Sequence, residues 1–188
     1  MVLYTDDFES DLPLLLPPSG WANEPAGLLG LGGYTVSSDG SHVLKGPSGS
    51  TGFPSAVAGS SWQDYKVVAD LKVDPVNGHA RVIARHQSAG NFYACGLDHD
   101  GSGQLFLGKE SGGTWGTFQT AAYTYVGSTW YHLDFSVQGN SLTCTVTEPG
   151  SGRTATVTAS AGYFPAGSIG ATGEYGSEYD NFVVSSLP

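Results

Sequence analysis

Short runs of alternating apolar and polar residues recur along almost the whole chain, broken roughly every 10 to 15 residues by Gly, Asn, Asp or Ser. A repeat of two places successive side chains on opposite faces of an extended strand, and the breakers supply turns. No stretch combines helical caps with a 3.6-residue repeat. The pattern predicts an all-β chain, an antiparallel two-sheet β-sandwich. Its strands are expected at 41–45, 65–73, 80–86, 92–98, 104–109, 131–138, 141–148, 153–159 and 179–185. Residues 100–103 and Gly139-Asn140 read as hairpin turns between pairs of these. Residues 12–18, three leucines between prolines, cannot continue a central strand and are expected to cross the sandwich edge. With 188 residues and no linker or internal repeat, residues 1–188 form a single domain.

The alternation also assigns faces. Val67, Ala69, Leu71 and Val73 share a core side, as do Ala80, Val82 and Ala84; Tyr93, Cys95 and Leu97; Leu105 and Leu107; and Tyr131, Leu133, Phe135 and Val137. If the strands from 65 to 109 are neighbours, their other side gathers Asp70, Arg81, Arg85, Phe92, Ala94, Gly96, Asp98 and Phe106 on one outer face. Ala94 and Gly96 lower that surface, and the aromatic rings offer apolar plates. Arg and Asp add forked donors and acceptors. Sugar rings require that mixture, although a solvated face of interspersed charges has the same composition. Trp115, in the glycine-rich segment 112–116, is expected on a flexible loop, as a sugar-stacking ring or as a cap on the sandwich end. Trp21, Trp62 and Trp130 sit beside strand starts and are expected to pack in the core or rim.

Charge excludes several partners. Seven Lys and Arg stand against 17 Asp and Glu, a net charge of −10, with no basic run. Nucleic acid and anionic membranes both require a basic surface, so neither is an expected partner. The acids concentrate at the two ends, in Asp6-Asp7-Phe8-Glu9 and Glu178-Tyr179-Asp180. First and last strands of an antiparallel sandwich often lie side by side, so these carboxylates can share one pocket. Oxygen-only ligands suit a hard cation such as Ca²⁺; an acidic edge that discourages aggregation is the other reading. Cys95 and Cys144 can form one disulfide, but each lies in an apolar alternation, and the reading favours two buried free thiols.

Several stretches together resemble the concanavalin A-like (laminin G-like) jelly-roll domains attached to polysaccharide lyases and other carbohydrate-active proteins. They are Asp7-Phe8-Glu9, Gly20-Trp21, Asp39-Gly40-Ser41, residues 58–65, Ala84-Arg85-His86-Gln87, Asn91-Phe92-Tyr93, Leu107-Gly108-Lys109, residues 127–131 and Tyr179-Asp180-Asn181-Phe182. Each piece is weakly specific; their order and spacing carry the resemblance over nearly the whole chain. It implies a concave glycan-binding sheet face, and a structural Ca²⁺ between the first and last strands. Residue by residue it places Asp7, Glu9 and Asp180 at the metal, with Asp39 a further candidate and Asp6 a supporting neighbour. Arg85 falls on an arginine frequent in such domains. The chain departs from the pattern at residues 12–18, at Cys95 and at residues 148–153. The first residues are acidic, with no charged-then-apolar leader, so no signal peptide is expected in this stretch. The composition nevertheless resembles secreted proteins, which favours an extracellular location over a cytoplasmic lectin.

The resulting expectation is a calcium-stabilised lectin or carbohydrate-binding module, non-catalytic. Its partner is an oligosaccharide or polysaccharide, bound by Asp70, Arg81, Arg85, Phe92, Asp98 and Trp115; the oligomeric state is left open. A polysaccharide lyase is the alternative. A retaining glycosidase requires two carboxylates about 5–5.5 Å apart; no Glu-x-Asp-x-x-Glu run is present, and Glu174, Glu178 and Asp180, the nearest imitation, are better used for metal or edge. A lyase requires a base and a cation beside a uronate, for which His86, His99 and His132 are available with Arg81 and Arg85.

Overall fold

The computed structural model describes residues 1–13, 17–24, 33–48, 54–73, 78–99 and 103–188, and contains fifteen strands among them. One sheet runs in the order β13 (Thr154–Ser160), β12 (Ser141–Thr147), β11 (Trp130–Gln138), β6 (Tyr65–Lys72), β15 (Glu178–Ser186), β4 (His42–Lys45) and β3 (Thr35–Ser38), with β1 (Val2–Asp6) also paired to β15. The other runs β10 (Thr114–Ala122), β9 (Gln104–Ser111), β8 (Asn91–Asp98), β7 (His79–Ser88), β14 (Gly167–Gly173), β5 (Ser55–Trp62) and β2 (Trp21–Glu24). All pairings are antiparallel. The expected β-sandwich is therefore present, and the nine expected strands lie within two residues of observed ones. The other six, β1, β2, β3, β5, β10 and β14, lie outside the expected ranges. Residues 100–102 and 14–16 lie outside the described residues, so the first expected turn and most of the expected edge crossing are not characterised.

The core lies between the sheets and comprises the residues that alternation turns inward, among them Val67, Ala69, Leu71, Val82, Tyr93, Leu105, Leu133 and Phe135, all fully buried. Cys95 of β8 and Cys144 of β12 form a disulfide with their Cα atoms 5.7 Å apart. This corrects the free-thiol expectation: both residues are inward-facing, as expected, but they oppose each other across the two sheets. The β9–β10 hairpin turns on Gly112 and Gly113, with φ of +59° and +77°, and Ser111 pairs with Thr114 across it. Only glycine takes two consecutive left-handed positions without strain.

β15 organises the ends of the chain. Its later half pairs with β1 (Asp6 opposite Phe182), and its start pairs with β4 (Glu178 opposite Lys45). A bulge at Asn181, φ +54°, separates the two halves. The first and last strands lie side by side as expected, and Asp6 closes the first.

Candidate functional site

The outer face of the seven-stranded sheet carries a second apolar cluster, separate from the core: Ile83, Phe92, Ala94 and Phe106, with Trp115 packed against it. Registry explains its relief. Arg81, Gly96 and Phe106 lie in one cross-strand row on β7, β8 and β9, and Ile83, Ala94 and Gly108 form the next. Gly96 projects nothing between Arg81 and Phe106, so the guanidinium can reach across to the ring. A Cβ on Gly108 would fall 2.4 Å from the Phe106 ring, so glycine is required for that ring to lie flat along the strand.

The arginine is held by a carboxylate and two rings. Arg81 Nε and Nη2 donate to Asp98 Oδ1 and Oδ2, each at 2.7 Å. Its guanidinium carbon lies 4.5 Å from the Phe106 ring centre and 4.4 Å from that of Trp115, a cation clasped by two aromatic faces. His79 Nδ1 lies 3.3 Å from Asp98 Oδ1, and its Nε2 lies 3.9 Å from Glu174 Oε2. Burial pushes the Asp98 carboxyl up, but the hydrogen bonds from His79 and Arg81 outweigh it and hold the group below the usual carboxylate range. Burial raises Glu110, with Arg81 partly offsetting it. Above this floor opens a cleft of about 360 Å³, whose lining adds His99, Gln104 and Thr117.

The six expected sugar-site residues divide. Arg81, Asp98, Phe92 and Trp115 share this face. Phe92 is only 1 % exposed and lies beneath Trp115, ring centres 5.7 Å apart, and so supports the cleft from below. Trp115 stands on β10 opposite Glu110, which corrects the flexible-loop expectation. Asp70 is on the other sheet, because β6 and β7 are consecutive in sequence but belong to different layers; its carboxylate meets His132 Nδ1 at 2.8 Å and Asn181 Nδ2 at 2.9 Å. Arg85 is also not on the outer face. A bulge between Ala84 and Ser88, with Arg85 at φ +49°, shifts the alternation and turns its side chain inward. There it donates to the carbonyls of Gln63, Gly139 and Phe164 at 2.8–3.0 Å and to Asp64 at 3.2 Å. The same shift turns His86, inward by alternation, to the outside, stacked on Phe92 and 2.7 Å from Glu24. His79 and Gln104 were missed as cleft residues, and His99 was named only as a lyase base beside Arg81. The parity of β8 and β9 already puts Gln104 beside Asp98.

The expected metal ligands also separate. Asp39 accepts from Lys72 Nζ at 2.5 Å and from Trp130 Nε1 at 3.2 Å, so a lysine already supplies its counter-charge. Asp7 lines a different hollow, with Asp6 and Ser10. Asp6 accepts from Tyr4, Trp21 and the Phe8 amide at 2.8–3.0 Å. Glu9 and Asp180 converge on one turn: Glu9 Oε1 accepts from the His42 amide at 3.0 Å, and Asp180 Oδ2 from the Ser41 hydroxyl at 3.2 Å. Burial raises the Asp180 carboxyl, and repulsion from Asp70 and Glu9 adds to the rise. Among the described residues, no three His, Cys, Asp or Glu side chains are arranged to hold a metal, so the four-carboxylate set does not form one site.

Comparison with known proteins identifies the fold. No protein-family profile matches the chain, and no curated protein matches it in sequence. Solved structures do match in shape. The carbohydrate-binding module CBM66 from Bacillus subtilis superposes with a TM-score of 0.70 at 16 % identity, over 89 % of this chain and 96 % of that one. Lectin II from Ulex europaeus superposes with a TM-score of 0.70 at 13 % identity, over the whole of both chains. The exoplasmic/lumenal domain of VIP36, in its Ca²⁺/Man-bound form, gives 0.63 at 12 % identity over 91 % and 84 %. The fold is the concanavalin A-like jelly roll.

Proposed function

We propose that this chain is a carbohydrate-binding domain that holds a neutral glycan in the cleft between Trp115, Phe106 and the Arg81–Asp98 pair. The observation that carries this reading is the arginine fixed by two hydrogen bonds to Asp98 and clasped by two rings. Such a floor sets apolar ring carbon beside polar atoms that are already oriented, so little ordering is needed on binding. The Ulex lectin is also known in complex with galactose, and VIP36 with mannose, which supports the class of ligand. A glycan array with the intact chain and with Trp115→Ala tests it. Neutral-glycan binding lost in the variant supports the cleft; unchanged binding removes it.

A lyase reading draws on His79 and His99, which share the cleft with Arg81. It requires the arginine to neutralise a uronate, and here Asp98 already matches that charge. Binding is therefore favoured. Incubation with polyuronates, with no rise in ultraviolet absorbance from an unsaturated product, is the expected outcome.

Calcium belongs to the reading at one place, the turn at Ser41 and His42, where Glu9 and Asp180 would hold it and neutralise their mutual repulsion. An ion there would tie the first and last strands together without entering the glycan cleft. The inter-sheet disulfide fits an oxidising location outside the cytoplasm.

A further inference from the structure

The two sides of the sandwich end differently. On one side the edge strands β1, β2 and β3 have five, four and four residues, short edges that offer little to another strand. On the other, β10 has nine and β13 seven, and these two strands touch each other. Charges and prolines, which normally keep an open edge from pairing, are absent from both. In a chain of net charge −10, residues 114–122 and 154–160 contain no charged side chain, and neither do residues 141–147 of the neighbouring β12. Glu148 and Arg153, the charges flanking β12 and β13 in their connecting turn, pair with each other at 3.2 Å, whereas β10 lies beside Lys109 and Glu110 of β9. β10 is interrupted by a register shift between Thr117 and Gln119, a common edge-blunting device. β13 pairs with β12 through all seven residues without a shift.

From these observations we infer that β13 is the contact surface for a second copy of this chain, joined strand to strand across a two-fold axis at Val157. Two chains of like net charge meet least repulsion where neither carries charge, and β13 is such a strand. The hydrogen-bond parity is also suitable. The Ala161 amide donates to Asn140, and the Glu148 amide to Arg153, so the odd-numbered residues of this segment face β12. The N–H and C=O groups of Thr154, Thr156, Thr158 and Ser160 therefore point away from the sheet. Antiparallel pairing about Val157 sets Thr154 opposite Ser160 and Thr156 opposite Thr158 of the other copy, giving about eight hydrogen bonds in one continuous sheet. The exposed threonine side chains lie on the outer face, and Ala155, Val157 and Ala159 on the inner one.

Sedimentation velocity on the intact chain, over a concentration series, tests this together with two double variants. The wild type is expected to shift to twice the protomer mass as concentration rises. Thr156→Lys with Thr158→Lys sets lysine against lysine across the axis and is expected to remain monomeric. Thr156→Lys with Thr158→Glu sets lysine against glutamate and is expected to restore the dimer. Matching thermal melts show that both variants fold. A wild type that stays monomeric at its highest soluble concentration overturns the inference, including one that instead captures an extended peptide. Two variants that behave alike overturn it as well.

Discussion

Arg81 and Asp98 meet in a two-point contact, both hydrogen bonds at 2.7 Å, with the guanidinium between the rings of Phe106 and Trp115. The pair is almost wholly buried and sets the charge of the cleft to near neutrality. Asp98→Asn retains the shape but leaves Arg81 uncompensated, and is expected to cost about 3–5 kcal/mol of stability in a chemical melt. Glycan preference in the same variant is expected to move from neutral sugars towards uronates. Because the folded Asp98 carboxyl is held below its usual range, the stability it contributes is present above the unfolded value of about 3.9 and is lost as pH falls through the lower folded one. In Asp98→Asn the acid limb of a melting-versus-pH profile should flatten.

Arg85→Ala is expected to act on the fold. The variant strands three backbone carbonyls and Asp64 that this one side chain satisfies, at a cost of about 3 kcal/mol or more. Its melting temperature should fall clearly, while the fraction that remains folded should bind glycan as the wild type does. A normal melt with lost binding would contradict the inward placement.

The Cys95–Cys144 bridge closes a loop of 49 residues between the two sheets. Replacing both cysteines with alanine is expected to remove about 4 kcal/mol, chiefly by releasing the unfolded chain. A reduced and an oxidised sample with equal denaturation midpoints would contradict this.

Asp180 responds to acid in the opposite sense from Asp98. Its folded pKa is raised, so the native state gains stability as pH falls through that value, and deprotonation above it costs stability. In EDTA, Asp180→Asn should therefore melt higher than the wild type. Calcium should raise the wild-type melt, by about 2.7 kcal/mol of stability at a hundredfold excess over Kd, and leave the variant unmoved. Equal responses of the two proteins to calcium would remove Glu9 and Asp180 as its ligands.

Strand positions and inward faces were legible because a period of two is a local property, visible in Val67–Ala69–Leu71–Val73 or Tyr93–Cys95–Leu97 without knowledge of their neighbours. Two kinds of information were not local. Layer assignment was one: nothing within 65–73 says that the next strand crosses to the other sheet, and so Asp70 was grouped with Arg81. The other was a single inserted residue. The bulge at Arg85 reverses the facing of the residues at its end of β7, and an arginine at positive φ leaves no mark in the alternation. Cys95 and Cys144 were each placed inward correctly, yet their opposition depends on β8 and β12 facing each other across the core. In the cleft, Arg81, Asp98 and Phe106 followed from parity, whereas His79 and His99 flank strand ends where parity gives little guidance. β10 was hidden because the glycine-rich segment 112–116 at its start reads as loop, and Trp115 with it.

The cleft assignment is tested most directly by the four indole N–H resonances of the protein, followed as a neutral oligosaccharide that binds on the array is titrated in. The Trp115 signal should move to saturation with the ligand, while those of Trp21, Trp62 and Trp130 hold their positions. A stationary Trp115 signal alongside movement of any of the other three would place the sugar elsewhere and contradict the account.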